Sequence, residues 1–229
     1  MTKIIINHLL NFKNKLFISI YFILVLLVFI IPLPFDSNSY EIILDLNFYK
    51  SNYNEVIIEL LKLLTAISVL ILAIDHNQGY INNITTFKQR IKVIVNKLFI
   101  YCYLVFINVI LIILMYFFIL NVFDYYILID KTFIIRLLFL GVDNLILLLL
   151  ILLIVRSNNK LFAYLIVAYY YILNLFYVSS SNMILFYITP FYSYNYQNYS
   201  NTNLYIIFYI ILLIVLNIFK YEHEDFLDK

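Results

Sequence analysis

Four charged residues fall inside otherwise apolar stretches: Glu59 and Lys62 in one, Arg136 and Asp143 in another. A charge in such surroundings is costly, so it pairs with an opposite charge, faces water, or takes part in moving a charged substrate. Counted from apolar runs that open near residues 56 and 133, a rise of about 1.5 Å per residue puts Glu59 and Arg136 each about 4.5 Å deep, Lys62 about 9 Å and Asp143 about 15 Å. The matched depths suggest two pairs, Glu59 with Arg136 and Lys62 with Asp143. A structural role, as static interhelical pairs or snorkelling side chains, outweighs a place on a substrate path.

The remaining reactive residue types exclude more than they suggest. His8, His76 and His223 lie in separate segments without a second ligand at metal spacing, and the run Glu222-His223-Glu224-Asp225 is best read as a solvated acidic end. Cys102 is the single cysteine; it can form neither an intramolecular disulfide nor a cysteine metal cluster, and it reads as a small packed apolar residue. Gly79 and Gly141 are the only glycines and are too far apart for GxxxxGK[ST] or GxGxxG, so a P-loop is ruled out. H-E-x-x-H is absent, and Asp143, the one acid near the middle of a run, lacks the second acid of a two-carboxylate mechanism. No catalytic residue, metal ligand or cofactor-binding residue can be nominated.

The elements that carry these residues are apolar runs. Hydrophobic residues make up 65% of the 229 and charged ones 12%, far from the roughly one-quarter charged share of soluble domains. Six runs stand out, at about 16–31, 56–74, 98–120, 133–155, 161–178 and 204–219, each near the roughly 17–25 residues that cross a hydrocarbon core of about 30 Å. The expected fold is all-α, a polytopic membrane protein with six transmembrane helices in one transmembrane domain over residues 1–229. Lys13 and Lys15 precede the first run, yet it closes on Ile30-Ile31-Pro32-Leu33-Pro34 without a small-x-small cleavage pattern, so it reads as a retained helix that the prolines stop.

Orientation follows from the cations, because short cytoplasmic loops keep an excess of Lys and Arg. Lys3, Lys13, Lys15, Lys88, Arg90, Lys92, Lys97, Arg156, Lys160, Lys220 and Lys229 fall on one side, and only Lys50 and Lys131 on the other. Both termini are therefore expected in the cytoplasm. A net charge of +2, spread between apolar runs, argues against nucleic acid as a partner.

Three connections read differently from plain loops. The acidic and apolar mixture at about 33–55 suggests a short helix on the outer membrane surface. Ser179 to Asn203 is uncharged, with the apolar island Met183 to Ile188 too short to span, which suggests a re-entrant or interfacial element. In the inner connection from Asp75 to Lys97, Ile81, Ile84, Phe87, Ile91 and Ile94 recur at three-to-four spacing, predicting an amphipathic helix that continues towards the third span.

Asp75, Gly79, Ile84, Phe87, Arg90 and Lys97 in that connection, together with the plan of the whole chain, resemble the ABC-2-type permeases, the membrane subunits of ATP-binding-cassette transporters, of the small bacterial peptide-export or immunity type. Where that family commonly has Glu and Pro, this chain has Asp75 and Phe87. The resemblance implies a second permease subunit, identical or related, a separate ATPase that binds the ATP this chain cannot, and a location in the bacterial cytoplasmic membrane. It also implies an ATPase-coupling helix around residues 82–90 that uses Ile84, Phe87, Lys88 and Arg90. The substrate class it suggests is an antimicrobial or amphipathic peptide. The alternative is a small channel, holin-like protein or secondary carrier, for which the uncharged 179–203 segment is the best support; a membrane-embedded enzyme ranks below both.

Overall fold

The computed structural model describes residues 12–33, 46–74, 87–125, 128–154, 164–169, 172 and 203–223. Among them all regular structure is helical, in five long helices: α1 (Phe12–Ile30), α2 (Leu46–Ile74), α3 (Phe87–Val122), α4 (Lys131–Ile154) and α5 (Asn203–His223). Residues 164–169, inside the fifth apolar run, are helical as well.

Two helices are longer than the apolar runs that predict them. α2 opens at Leu46 instead of near residue 56, so residues 46–55, expected to be outer loop with a helix of its own, are the first turns of the same helix. α3 opens at Phe87, so Phe87, Lys88 and Arg90 head the third helix itself, while Ile84 lies outside the described residues. The cause is common to both: between Pro34 and Gly79, and again between Gly79 and Gly141, the chain has neither Gly nor Pro to end a helix. The element expected at 179–203 lies outside the described residues, apart from Asn203 at the head of α5.

The chain divides into two compact units. The first comprises residues up to Ser68 together with Leu111–Phe133, and its core forms where helices end. Pro32 has no N–H to give the Val28 carbonyl, and Leu33 N donates to Ile30 O at 3.0 Å in a tightened last turn, which leaves the Phe29 carbonyl without its usual partner. Tyr53 of α2 supplies one, its hydroxyl donating to Phe29 O at 3.0 Å. The buried Phe29 ring stands 5.8 Å from that of Tyr116 on α3, which in turn lies 5.0 Å from Phe133 on α4. The Tyr116 hydroxyl donates to Leu128 O at 3.0 Å and accepts from Asp130 N at 3.2 Å, fixing the turn between α3 and α4.

Both ends of that turn carry their own stops. Tyr125 N donates to Leu120 O and Asp124 N to Asn121 O, and Asp124 has φ 58°, which together make a Schellman close of α3 with aspartate in the left-handed position. Asp130 then caps α4: Oδ1 accepts from Thr132 N at 3.0 Å and Oδ2 from the Thr132 hydroxyl at 2.6 Å.

The second unit comprises Val69–Ile110 and Ile134–Lys229. Within it α4 is enclosed on every side from Asp143 to Leu149, as expected of a helix that is apolar nearly all round. Gly141 lets α3 approach closely: a Cβ there would stand 2.8 Å from Val109 Cγ2. On α5, the Asn217 amide donates to Leu149 O at 3.0 Å and Lys220 Nζ to Leu152 O at 2.9 Å. The pairs 149 with 217 and 152 with 220 advance together, so α4 and α5 run parallel where they touch.

Leu98–Val122 and Lys131–Ile154 are each long and apolar enough to cross a membrane. Large apolar side chains are exposed along α3 at Phe99, Tyr103, Phe106, Ile110, Leu114, Phe118 and Val122, and along α5 at Ile207, Phe208, Ile211, Leu212, Val215, Leu216 and Phe219.

Candidate functional site

Glu59 makes an ion pair with Lys62, one turn along its own helix. Lys62 Nζ stands 3.2 Å from Glu59 Oε1. The pair is asymmetric, because the Lys62 side chain is 3% exposed and the Glu59 side chain 47%. An i,i+3 spacing brings the groups together on one helix without help from a neighbour, which is why the pairing is local. Below it, Thr65 donates to Leu61 O at 2.7 Å and Ser68 to Thr65 O at 2.6 Å, so both hydroxyls are satisfied by α2 itself.

Arg136 and Asp143 lie seven residues apart on α4 and thus on one face, about 10 Å along the axis. Arg136 is half-buried, whereas Asp143 is 1% exposed and sits beside the buried amide Asn144. Among the described residues, the buried side chains of charged type are Lys62, in the first unit, and Asp143, in the second.

Phe87, Lys88 and Arg90 occupy the first turn of α3, a 36-residue helix whose apolar part, Leu98–Val122, follows after Lys92 and Lys97. Residues 87–97 place about 16 Å of helix ahead of that apolar part. Their angular positions do not form one basic stripe: at about 100° per residue, Lys88 and Lys92 fall on one side and Arg90 and Lys97 on the opposite one.

Several polar residues of the interior went unnoticed in the sequence. Asn217, fully buried, leaves its Oδ1 without a hydrogen-bond partner although its amide makes two bonds, to Leu149 O and to Leu213 O. It is the one amide inside the run 204–219, a signal that sequence reading could have used. Asn54 is also buried with an unpartnered Oδ1. Tyr53 and Tyr116 carry no such mark, being two of 23 tyrosines. Cys102 is half-buried on α3. Among the described residues no group of three or more His, Cys, Asp and Glu is placed to hold a metal ion, and of the histidines only His223, closing α5, lies within them. Comparison of the chain with known proteins gives no match to a protein family, to a curated protein or to a solved structure.

Proposed function

We propose that the chain is a multi-pass membrane protein with six spans and cytoplasmic termini, and that it serves as the permease subunit of an ATP-binding-cassette transporter in the bacterial cytoplasmic membrane. The observation that carries the membrane part is the exposed apolar stripe of α3. From Phe99 to Val122 it runs about 35 Å, the thickness of a hydrocarbon core with its edges, and a soluble chain would leave such a surface against water. The parallel contact of α4 and α5 supports the count: two parallel neighbours need a return crossing between them, and the apolar run at 161–178 is available for it. An even number of spans also agrees with the cation asymmetry.

The transporter part rests on the resemblance around Asp75 to Lys97 and on the missing P-loop. A separate ATPase would dock on the inner connection, with Ile84 and Phe87 as anchors and Lys88 and Arg90 at the rim. Arg90, Lys88 and Phe87 lie about 12–16 Å before the apolar part of α3, beyond the headgroup layer, where a cytoplasmic partner could meet them. A second permease subunit would complete the translocation path, and an antimicrobial or amphipathic peptide is the proposed substrate. The experiment is reconstitution with candidate ATPase subunits encoded nearby: the chain alone should hydrolyse no ATP, and hydrolysis with substrate movement should appear only in the complex. ATP hydrolysis by the isolated chain, or substrate flux without any ATPase, would refute the reading.

A further inference from the structure

We propose that one flank of α2 lines a water-filled vestibule, open to the outer side and reaching close to the middle of the bilayer, with Glu59 at its floor. This rests on the membrane reading above. The depth comes from a contact within the first unit. Phe29 lies two residues before the end of the first apolar run and is held by the Tyr53 hydroxyl, so Tyr53 stands about 3 Å inside the hydrocarbon edge. Glu59 is six residues further along α2, about 9 Å deeper and about 12 Å in all. Its carboxylate is nevertheless 47% exposed.

Hydrocarbon cannot cover that carboxylate without a large penalty. The choice between water and a second protein follows from the neighbours. Placed at about 100° per residue, the exposed positions of α2 divide into two flanks. Ser51, Asn52, Glu55 and Glu59 form a polar flank that descends from the outer end, and Val56, Leu60, Leu63 and Ile67 form an apolar one. The polar flank has a floor, since its next positions, Lys62 and Ala66, are buried. A strip that is polar from the surface down to its deepest exposed residue and then closes is what a wet groove requires. A helix interface would carry packing residues along that strip. With two carboxylates on its wall and its one cation buried, the vestibule should concentrate cations over anions.

Single cysteines test this in the full chain in native membranes, with Cys102→Ala as the background. Asn52→Cys, Glu55→Cys, Glu59→Cys, Leu60→Cys and Leu114→Cys are each treated from outside with membrane-impermeant cationic and anionic methanethiosulfonates. Modification is expected at the first three positions and not at Leu60→Cys, of equal depth on the apolar flank, nor at Leu114→Cys. At Glu55→Cys the cationic reagent should react faster by about tenfold, and Glu59→Gln should reduce that preference. No reaction at Glu59→Cys while Asn52→Cys reacts would overturn the vestibule in favour of a dry protein contact, and equal reaction at Glu59→Cys and Leu60→Cys would overturn the division into flanks. Should Glu59→Cys fail to accumulate, an unchanged reagent preference in Glu55→Cys with Glu59→Gln overturns the proposal. Reaction at Leu114→Cys, or none at Asn52→Cys, would instead remove the membrane reading, and the vestibule with it.

Discussion

Lys220 donates to the carbonyl oxygen of Leu152 in the last turn of α4, one turn beyond the bond from Asn217 to Leu149. The final carbonyls of a helix have no intrahelical donor and carry partial negative charge, so an ammonium group there satisfies both the hydrogen bond and the dipole. The contact ties the C-terminal end of α4 to α5 near its own end, so that, on the membrane reading proposed above, both ends should lie on one side of the bilayer. Reporters fused after Arg156, at Lys229 and near Lys88 should therefore be cytoplasmic, and tags near Asn47 and Asn198 extracytoplasmic. Labelling of a Lys88→Cys variant from outside intact cells would refute this topology.

Gly141 and Val109 set the distance between α3 and α4 in the second unit. A methyl group at 141 would press on Val109 Cγ2 at 2.8 Å, and valine is stiff and short, so the helices must part. Gly141→Ala should lower stability by about 1–3 kcal/mol, the usual cost of overpacking. Adding Val109→Ala should recover part of that loss in thermal unfolding of the detergent-solubilised protein; no recovery would mean that another neighbour sets the limit.

Tyr116 and Asp130 should behave as one unit. Tyr116→Phe keeps the ring against Phe29 and Phe133 but deprives Leu128 O and Asp130 N of their partner, at a cost of about 1–3 kcal/mol. Asp130→Ala removes the cap of α4, at about 0.5–2 kcal/mol. The same turn is involved in both, so the double variant should lose less than the sum, a coupling that a double-mutant cycle measures directly. Full additivity would show that the tyrosine and the cap act independently.

How much of this was legible in the sequence depends on the length scale of the cause. The helices at 133–155 and 204–219 were readable because long apolar runs without Pro leave the backbone one way to satisfy itself, and α4 and α5 match those runs to within a few residues at each end. The extra turns of α2 were missed because the polar residues at 46–55 were read as a membrane boundary, and a membrane edge does not end a helix; those of α3 were legible in the three-to-four spacing of Phe87, Ile91 and Ile94. Glu59 illustrates a second, more local length scale. Its pair with Lys62 lies at i,i+3 on one helix and needs no tertiary fold at all, so the spacing in the sequence was enough to find it. Tyr53 bonding Phe29 O was out of reach, since it depends on which carbonyl Pro32 leaves free and on which of many tyrosines arrives beside it.

The Lys62 and Glu59 pair makes an asymmetric prediction. Removing the carboxylate by Glu59→Ala takes an ion-pair partner from a lysine whose side chain is only 3% exposed, so accumulation of the protein should drop. Lys62→Met leaves the Glu59 carboxylate half-exposed to solvent and should be milder. The double variant Glu59→Ala, Lys62→Met should recover most of what Glu59→Ala loses, because the buried ammonium is removed along with its carboxylate partner. Equal damage from both single changes, measured as folded protein by fluorescence-detected size exclusion, would show that burial does not set the order.

The most specific commitment of the transporter reading concerns Phe87. It heads a helix that continues without a break through the proposed third span, so force applied at residues 87–90 is carried along the axis instead of being lost in a hinge. If an ATPase groove takes Phe87 as an aromatic anchor, Phe87→Ala should weaken co-purification with the ATPase by about 2 kcal/mol, roughly thirtyfold in affinity, because central aromatic anchors carry much of an interface's energy. Membrane insertion should be unaffected, since the apolar part of α3 begins eleven residues later at Leu98. Lys88→Gln and Arg90→Gln, at the rim, should act mainly on the association rate and its salt dependence. A channel or carrier predicts the opposite pattern, with flux unchanged in Phe87→Ala. Co-purification and substrate transport measured on the same preparation separate the two, and wild-type values for both in Phe87→Ala would remove this segment as the coupling site.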